Sequence, residues 1–379
     1  MKRGLIAVAA LLCILLQPAG AAAAALQGVE APAAILMEKT TGKVLYENNA
    51  DVQYEPASVT KVMTLLLVLE AIDGGSLQWD DTVTASAHAV SMGGSQIWLK
   101  EHEKLTVREM VKAVAVVSAN DCAVALGEHL AGTEEAFVQR MNQRAAELGM
   151  KNTHFLNCTG LPAEGHLTTA RDIAIMSREL ILNHPAIREF TTIWMDTLRD
   201  GAFQLTNTNK LIYYYEGATG LKTGFTQGAL YCLTATAERD GMELIAAVMH
   251  AQTSAARFES AKALLNYGFA SYALVPVWPE GPVPPVPVEL GEKEVVQPVP
   301  ARTCSVLLEK AKVGMISTEL VLPEVLAAPV AQNQRLGEIA VYVDGTQVDT
   351  VELIASEGVR RLTTGAIFKR LLTQLLLSA

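Results

Sequence analysis

The sequence predicts an α/β protein of the α+β kind. It has a helix-rich domain built on an antiparallel sheet, a small C-terminal all-β domain and an amphipathic tail helix. Three observations predict this. Short apolar runs joined by turn residues open and close residues 26–275 with helical patterns between them, and that order suits one antiparallel sheet covered by helices. Six of the 15 prolines then fall in residues 276–287, an extended and semi-rigid composition that reads as a linker. Short alternating runs follow, and the apolar residues from Ile367 to Leu376 line one face of a helix.

A chain of 379 residues exceeds one ordinary domain, and half of its residues are hydrophobic, enough for a sizeable core. The formal net charge of −10 argues against nucleic acid as a partner, which needs a basic patch. Lys2 and Arg3, an apolar centre over residues 5–16 and an alanine-rich stretch to residue 25 read as a secretory signal. The competing reading is an uncleaved anchor; both export the protein. Cys122, Cys158, Cys232 and Cys304 are scattered without a C-x-x-C, so they read as small buried residues. His154 and Cys158 lack an obvious third ligand, and no metal or other cofactor is predicted.

Taken in order, apolar runs at 33–38 and 44–47 flank Thr40-Thr41-Gly42-Lys43, a β-hairpin pattern. Pro56 is tolerated only in the first turn of a helix, so a helix should start near it and end at Asp73-Gly74-Gly75. Residues 62–69 are apolar on every face, as in a helix buried inside a domain. Ser58 and Lys61 share a face at its start, a hydroxyl beside an amine. Residues 76–104 are loop-rich.

Thr106 and Glu109 form a capping box opening a helix with Val107, Met110, Val111, Val114 and Val117 on one face. It breaks at Ser118-Ala119-Asn120-Asp121, and a second helix over 122–130 begins at once. Polar side chains placed there need a reason, because an unpaired buried polar group costs about 1–3 kcal/mol. Helices follow over 134–148 and 169–182, with a loop at 160–171 between them; residues 207–220 are polar and tyrosine-rich. Lys222-Thr223-Gly224 then runs into strands at 229–238 and 243–250, joined by an Asp240-Gly241 turn. The last helix of the domain spans 254–267, with Gly268 as its stop.

The domain plan is a signal at 1–25, a catalytic domain at 26–275, a linker at 276–288, a β-domain at 289–358 and a tail helix at 359–379. The tail's apolar part is too short for a bilayer, which takes about 20 residues. With Arg360, Arg361, Lys369 and Arg370 beside it, it suits a helix lying in a membrane interface. The competing reading is a terminal helix packed on its own domain.

Ser58-x-x-Lys61, Ser118-x-Asn120 and Lys222-Thr223-Gly224, in this order, form the motif set of penicillin-binding proteins and class A β-lactamases. The chain resembles the D-alanyl-D-alanine carboxypeptidases, the low-molecular-mass penicillin-binding proteins of serine peptidase family S11, along essentially its whole length. Gly160-Leu161, His166, Thr169-Ala170-Arg171-Asp172, Thr208-Asn209-Lys210, and Arg257 ahead of Ala261-Lys262-Ala263-Leu264-Leu265 add to the resemblance.

The resemblance implies a β-lactamase/transpeptidase-like domain and removal of the terminal D-alanine from peptidoglycan stem pentapeptides. It also implies acylation by β-lactam antibiotics, a place outside the cell membrane and, in some Gram-positive members, a role in sporulation. Ser58 Oγ would attack the carbonyl between the two D-alanines, and Lys61 would take its proton. Lys61 must then be neutral, through burial and Lys222 as a second cation. Ser118 would relay the proton to the leaving amine, and Asn120 would position Lys61 and the peptide amide. Backbone N–H groups of Ser58 and Phe225 would hold the oxyanion, with Gly224 beside them. Thr223 and Arg257 would take the substrate carboxylate; His166 would stand near the site, and Arg171 would be a structural salt-bridge residue. Some family members carry an arginine where Thr208 stands, which removes a cation from that position. Alternatives are a β-lactamase, with Glu164 loosely matching its catalytic glutamate, a transpeptidase, and a non-catalytic peptidoglycan or β-lactam binder.

Overall fold

The computed structural model describes residues 26–279, 281–302 and 304–377; the predicted signal at 1–25 lies outside them. The first region is built on a five-stranded antiparallel sheet. Its strands are β1 (Ala33–Glu38), β2 (Val44–Asn48), β5 (Ala218–Thr226), β6 (Leu230–Arg239) and β7 (Met242–Ala251), in the order β2-β1-β7-β6-β5. The early and late hairpins meet where β1 pairs with β7, Ile35 opposite Ala247. Asp240 and Gly241 both have positive φ, 50° and 75°, as a tight hairpin requires.

The strands read as continuous apolar runs because helices cover both faces. On one face Ile245, Ala247 and Met249 pack with residues of α1 (Lys61–Asp73), α2 (Val107–Val116), α3 (Asn120–Ala131), α4 (Glu134–Glu147) and α5 (Ala170–Asn183). On the other, Leu244, Ala246 and Val248 pack with Phe258, Leu264 and Leu265 of α7 (Ser254–Ser271). Helix α1 is central: Val62, Met63, Leu65, Leu66, Val68 and Leu69 are all buried, so its even apolarity follows from its position. The capping box at α2 forms, Thr106 Oγ1 accepting from the Glu109 N–H while Glu109 accepts from the Thr106 N–H. Between α5 and β5 lie a hairpin of β3 (Met195–Leu198) and β4 (Phe203–Thr206) and the short α6 (Leu211–Tyr214).

Two sequence expectations are corrected. Helix α7 does not stop at Gly268 but runs on to Ser271. A Cβ there would lie 2.5 Å from Leu244 Cδ1 and 2.9 Å from Leu36 Cδ2, so the glycine permits close helix-on-sheet packing. Residues 76–104 are loop-rich as expected, broken by a short helix, Ala87–Val90, and by Thr82–Thr84, which pairs with Lys104–Thr106. The proline-rich stretch is extended but is no free spacer. Val277 donates to the Cys304 carbonyl, Val283, Val286 and Val288 are buried, and Val286–Glu289 is a strand.

The second region is all β apart from a short 3-10 turn. Strand β8 (Tyr272–Pro276) pairs with Ser305–Glu309, and a four-stranded sheet runs Pro298–Pro300, Thr346–Ala355, Arg335–Val343, Ile316–Val321. Its central hairpin turns at Asp344-Gly345, with Val343 opposite Thr346. The tail helix is Thr364–Leu377, and Leu362, just before it, donates to the Leu290 carbonyl. Among the described residues no helix is long and apolar enough to cross a membrane.

Candidate active site

The chain reaches Ser58 through one turn of 3-10 helix, Ala57–Thr60, which runs directly into α1. Ala57 sits at φ 47°, a left-handed conformation unusual for alanine. Two glycines press on this turn. A Cβ on Gly160 would lie 1.8 Å from the Ala57 carbonyl oxygen, and one on Gly224 would lie 2.9 Å from the Pro56 oxygen and 3.1 Å from the Ser58 nitrogen. Without side chains there, the 157–161 loop and strand β5 close on the Ser58 backbone. β5 is an edge strand, so its outer backbone groups are not used within the sheet.

Lys61 is fully buried, its Nζ 3.0 Å from Ser58 Oγ and 2.6 Å from the Thr159 carbonyl oxygen. Burial pushes the Lys61 amine down to about 7, against the opposing pull of Cys158 and Asp121. Lys222, also buried, is held well below its ordinary range by burial first, then by the charges of Lys61 and Arg257. Of the two causes expected for a neutral Lys61, burial and Lys222 as a second cation, burial leads, and it leads for Lys222 as well.

Ser118 and Asn120 occupy the break between α2 and α3. Ser118 has φ 67° and a buried Oγ without a protein partner. Asn120 is anchored by its N–H to the Ser95 carbonyl (2.7 Å) and by Nδ2 to the Gly93 carbonyl (2.6 Å), while its Oδ1 has no protein partner. The turn is tied to β5 through Thr208, whose N–H donates to the Val116 carbonyl and whose Oγ1 accepts from Thr223 Oγ1 at 2.7 Å.

Arg257 of α7 reaches under the sheet. Its guanidinium donates to the carbonyls of Gly224 (3.1 Å) and Cys232 (3.3 Å) and lies over the Tyr231 and Phe258 rings. Its Nε is buried without a partner, and burial pushes the group down to about 10. Phe225 is exposed and packs on Tyr231 with ring centroids 4.4 Å apart.

His166 does not join this group. Its buried ring accepts from the Leu156 N–H through Nδ1 (3.1 Å), which leaves the proton on Nε2, 2.9 Å from Thr60 Oγ1. Burial, then His154, pushes it down to about 4, so it is a neutral brace between the 154–168 loop and the Ser58 turn, with no nitrogen left for substrate. Arg171 pairs with Asp51 and Glu47.

Two residues escaped the sequence reading. Asn157 shapes the loop that presents the Thr159 carbonyl: its Oδ1 accepts from the Gly160 N–H (2.7 Å) and its Nδ2 donates to the Leu161 carbonyl (2.9 Å). Asp121 is fully buried and accepts from the N–H groups of Ile97, Leu99 and Cys122, holding the segment that carries Gly93 and Ser95. Asx-turn chemistry was the available signal for Asn157, whereas the partners of Asp121 on Ile97 and Leu99 are distant in the chain and left no local signal. As for metals, the described residues bring Glu70, Glu179 and His184 within 4.8 Å of one another, but Arg144 already bonds both glutamates. That group lies towards the far end of α1 from Lys61.

A family model described as D-alanyl-D-alanine carboxypeptidase matches residues 20–253, and one described as penicillin-binding protein 5, C-terminal domain, matches residues 275–361. The chain belongs to the D-alanyl-D-alanine carboxypeptidase family of serine peptidases. It is 40% identical over 346 residues to D-alanyl-D-alanine carboxypeptidase DacF of Bacillus subtilis, covering 90% of this chain and 89% of that one. Penicillin-binding protein 5 from Haemophilus influenzae superposes with a TM-score of 0.75 at 29% identity, covering 88% of this chain and 98% of the other. Penicillin-binding protein D2 from Listeria monocytogenes, solved in an ampicillin-bound form, superposes with a TM-score of 0.59 at 36% identity, over 64% of this chain and 98% of that one.

Proposed function

We propose that the chain releases the terminal D-alanine of peptidoglycan stem pentapeptides through an acyl-enzyme on Ser58. One observation carries the residue assignment. The buried side-chain atoms without a protein partner, among the described residues, are Ser118 Oγ, Asn120 Oδ1 and Arg257 Nε. Ser118 and Asn120 stand in the turn that Thr208 ties to β5, and Arg257 bonds the Gly224 carbonyl of β5, whose backbone lies against the Ser58 turn. Leaving such atoms unpaired costs about 1–3 kcal/mol each, which a bound substrate offsets by supplying partners.

In the first half-reaction neutral Lys61 takes the Ser58 proton while Oγ adds to the carbonyl carbon of the penultimate D-alanine. Backbone N–H groups of Ser58 and Phe225 stabilise the oxyanion. Ser118 passes the proton to the departing nitrogen, and free D-alanine leaves. Water then hydrolyses the ester and restores Ser58. Asn120 Oδ1 accepts the amide N–H of the peptide, and the Thr223 hydroxyl, turning its hydrogen from Thr208 to the ligand, joins the Arg257 charge in favouring the terminal carboxylate. A β-lactam carbonyl takes the place of the scissile amide and acylates the same serine. Glu164 is exposed, which gives no support to a β-lactamase water-activating role there.

The signal segment exports the chain, and the tail helix, with Arg360, Arg361, Lys369 and Arg370, rests on the outer face of the cell membrane. A fluorescent penicillin and a diacyl-Lys-D-Ala-D-Ala peptide test the chemistry together. The expected result is stable labelling and D-alanine release, both lost in Ser58→Ala. Labelling without D-alanine release makes the chain a sensor, and release by Ser58→Ala refutes the mechanism. A chain ending near Glu357 should leave the membrane fraction.

A further inference from the structure

The large exposed side chains around the candidate site are grouped. Trp98 is 65% exposed, Met195 60%, Tyr213 63% and Tyr214 70%. They stand on the segments that hold the site. Trp98 lies between Ile97 and Leu99, whose N–H groups bind Asp121, and follows the Gly93 and Ser95 carbonyls that fix Asn120. Tyr213 and Tyr214 lie on α6, next to Asn209, whose Nδ2 donates to the Gly220 carbonyl of β5 at 2.8 Å.

The β3–β4 hairpin joins the two groups. At its turn end Trp98 packs on Phe203 with ring centroids 5.9 Å apart; at its base Trp194 packs on Tyr213 at 5.3 Å, and Tyr213 on Tyr214 at 4.9 Å. Strands of this length span about 10 Å. By strand alternation Met195, Thr197, Gln204 and Thr206 expose their side chains on the hairpin face opposite Phe203. Of the neighbouring charges Arg199 pairs with Glu103 and Lys112 with Asp196, while Lys100, Asp200 and Lys210 are exposed. The rings brace one another, so little freedom is lost when they are covered.

We propose that this rim binds the glycan strand that carries the stem peptide, a chain of N-acetylated hexosamines. The proposal rests on the peptidoglycan reading above. A pyranose ring offers an apolar face to stack on an aromatic ring and hydroxyl and amide groups around its edge, and this rim presents exposed indole and phenol rings that carry their own N–H and O–H groups. An anionic membrane surface would call for an excess of cations, whereas the exposed charges here, Lys100, Glu101, Asp200 and Lys210, are of both signs. Because the rim continues from Thr208 and the Asn120-holding segment, a glycan lying on it stays connected to a peptide in the cleft.

The test compares D-alanine release from isolated peptidoglycan sacculi with release from the short diacyl peptide, for the full chain and for Trp98→Ala and the double variant Tyr213→Ala/Tyr214→Ala. The ratio of sacculus to peptide activity should fall about tenfold in the variants. A β-1,4-linked N-acetylglucosamine hexamer should quench tryptophan fluorescence in Ser58→Ala and lose that effect when the tyrosines are also removed. An unchanged ratio overturns the glycan surface while leaving the Ser58 chemistry standing. Binding of anionic phosphatidylglycerol vesicles, but not the hexamer, through these rings also overturns it. Failure of the parent protein to release D-alanine from the short peptide strikes the functional reading instead, and hexamer binding then still decides the surface.

Discussion

Lys61 shows how a single residue is prepared for a task its ordinary chemistry forbids. At its usual value near 10.5 the amine is charged in neutral solution and cannot accept a proton; buried, it falls to about 7. The sign follows: below pH 7 Lys61 is protonated and acylation slows, and above it the rate reaches a plateau. The acylation rate constant with a penicillin, measured from pH 5 to 9, should climb through about pH 7, and a flat profile would remove Lys61 as the base. Lys61→Ala should cost about 10²–10⁴-fold in the same rate. Gly160 is a second residue with one purpose. Alanine there would place a Cβ inside the Ala57 carbonyl, so Gly160→Ala should abolish penicillin labelling or folding, whereas Gly149→Ala, where nothing lies near but φ is 75°, should only destabilise.

At the scale of elements, the same residue type carries opposite meanings. Glycine inside an ordinary helix costs up to about 1 kcal/mol relative to alanine, so replacing it stabilises. In α7 the sign should reverse, because Leu244 and Leu36 occupy the space a methyl group needs. Gly268→Ala should therefore destabilise by about 1–3 kcal/mol in urea unfolding, and a stabilised variant would show that the helix can shift. Thr106→Ala removes the capping box of α2 and should cost about 1 kcal/mol in the same measurement. The capping box was legible because both partners lie within one turn of chain. Gly268 was misread because a helix stop and a close-packing site look alike until the neighbouring strands are known. The proline-rich stretch was misread for a related reason: its composition reports extension, not whether Val283 and Val286 between the prolines find a core.

For the whole molecule, burial of ionisable groups links stability to pH. His166 is neutral in the fold with its value lowered to about 4, against about 6.5 unfolded. The unfolded chain therefore binds more protons between these values, and the stability contributed above pH 6.5 is lost as pH falls towards 4. Lys61 acts in the same direction in a higher window, adding stability as pH rises from about 7 towards 10.5. Urea midpoints should fall between pH 6.5 and 4, and His166→Gln should flatten that part of the curve.

The sequence by itself determined the motif residues, the hairpin turns, the buried central helix and the family, because these depend on residue identity and short spacing. Ser58 and Lys61 meet at 3.0 Å because one helical turn brings them together. Only the tertiary structure decided the rest. Desolvation of Lys61 and Lys222, the inward turn of His166 to Thr60, and the hold of Asp121 on the Ile97 and Leu99 N–H groups depend on segments far apart in the chain. Burial and hydrogen-bond completion are properties of surroundings, and local sequence does not contain its surroundings.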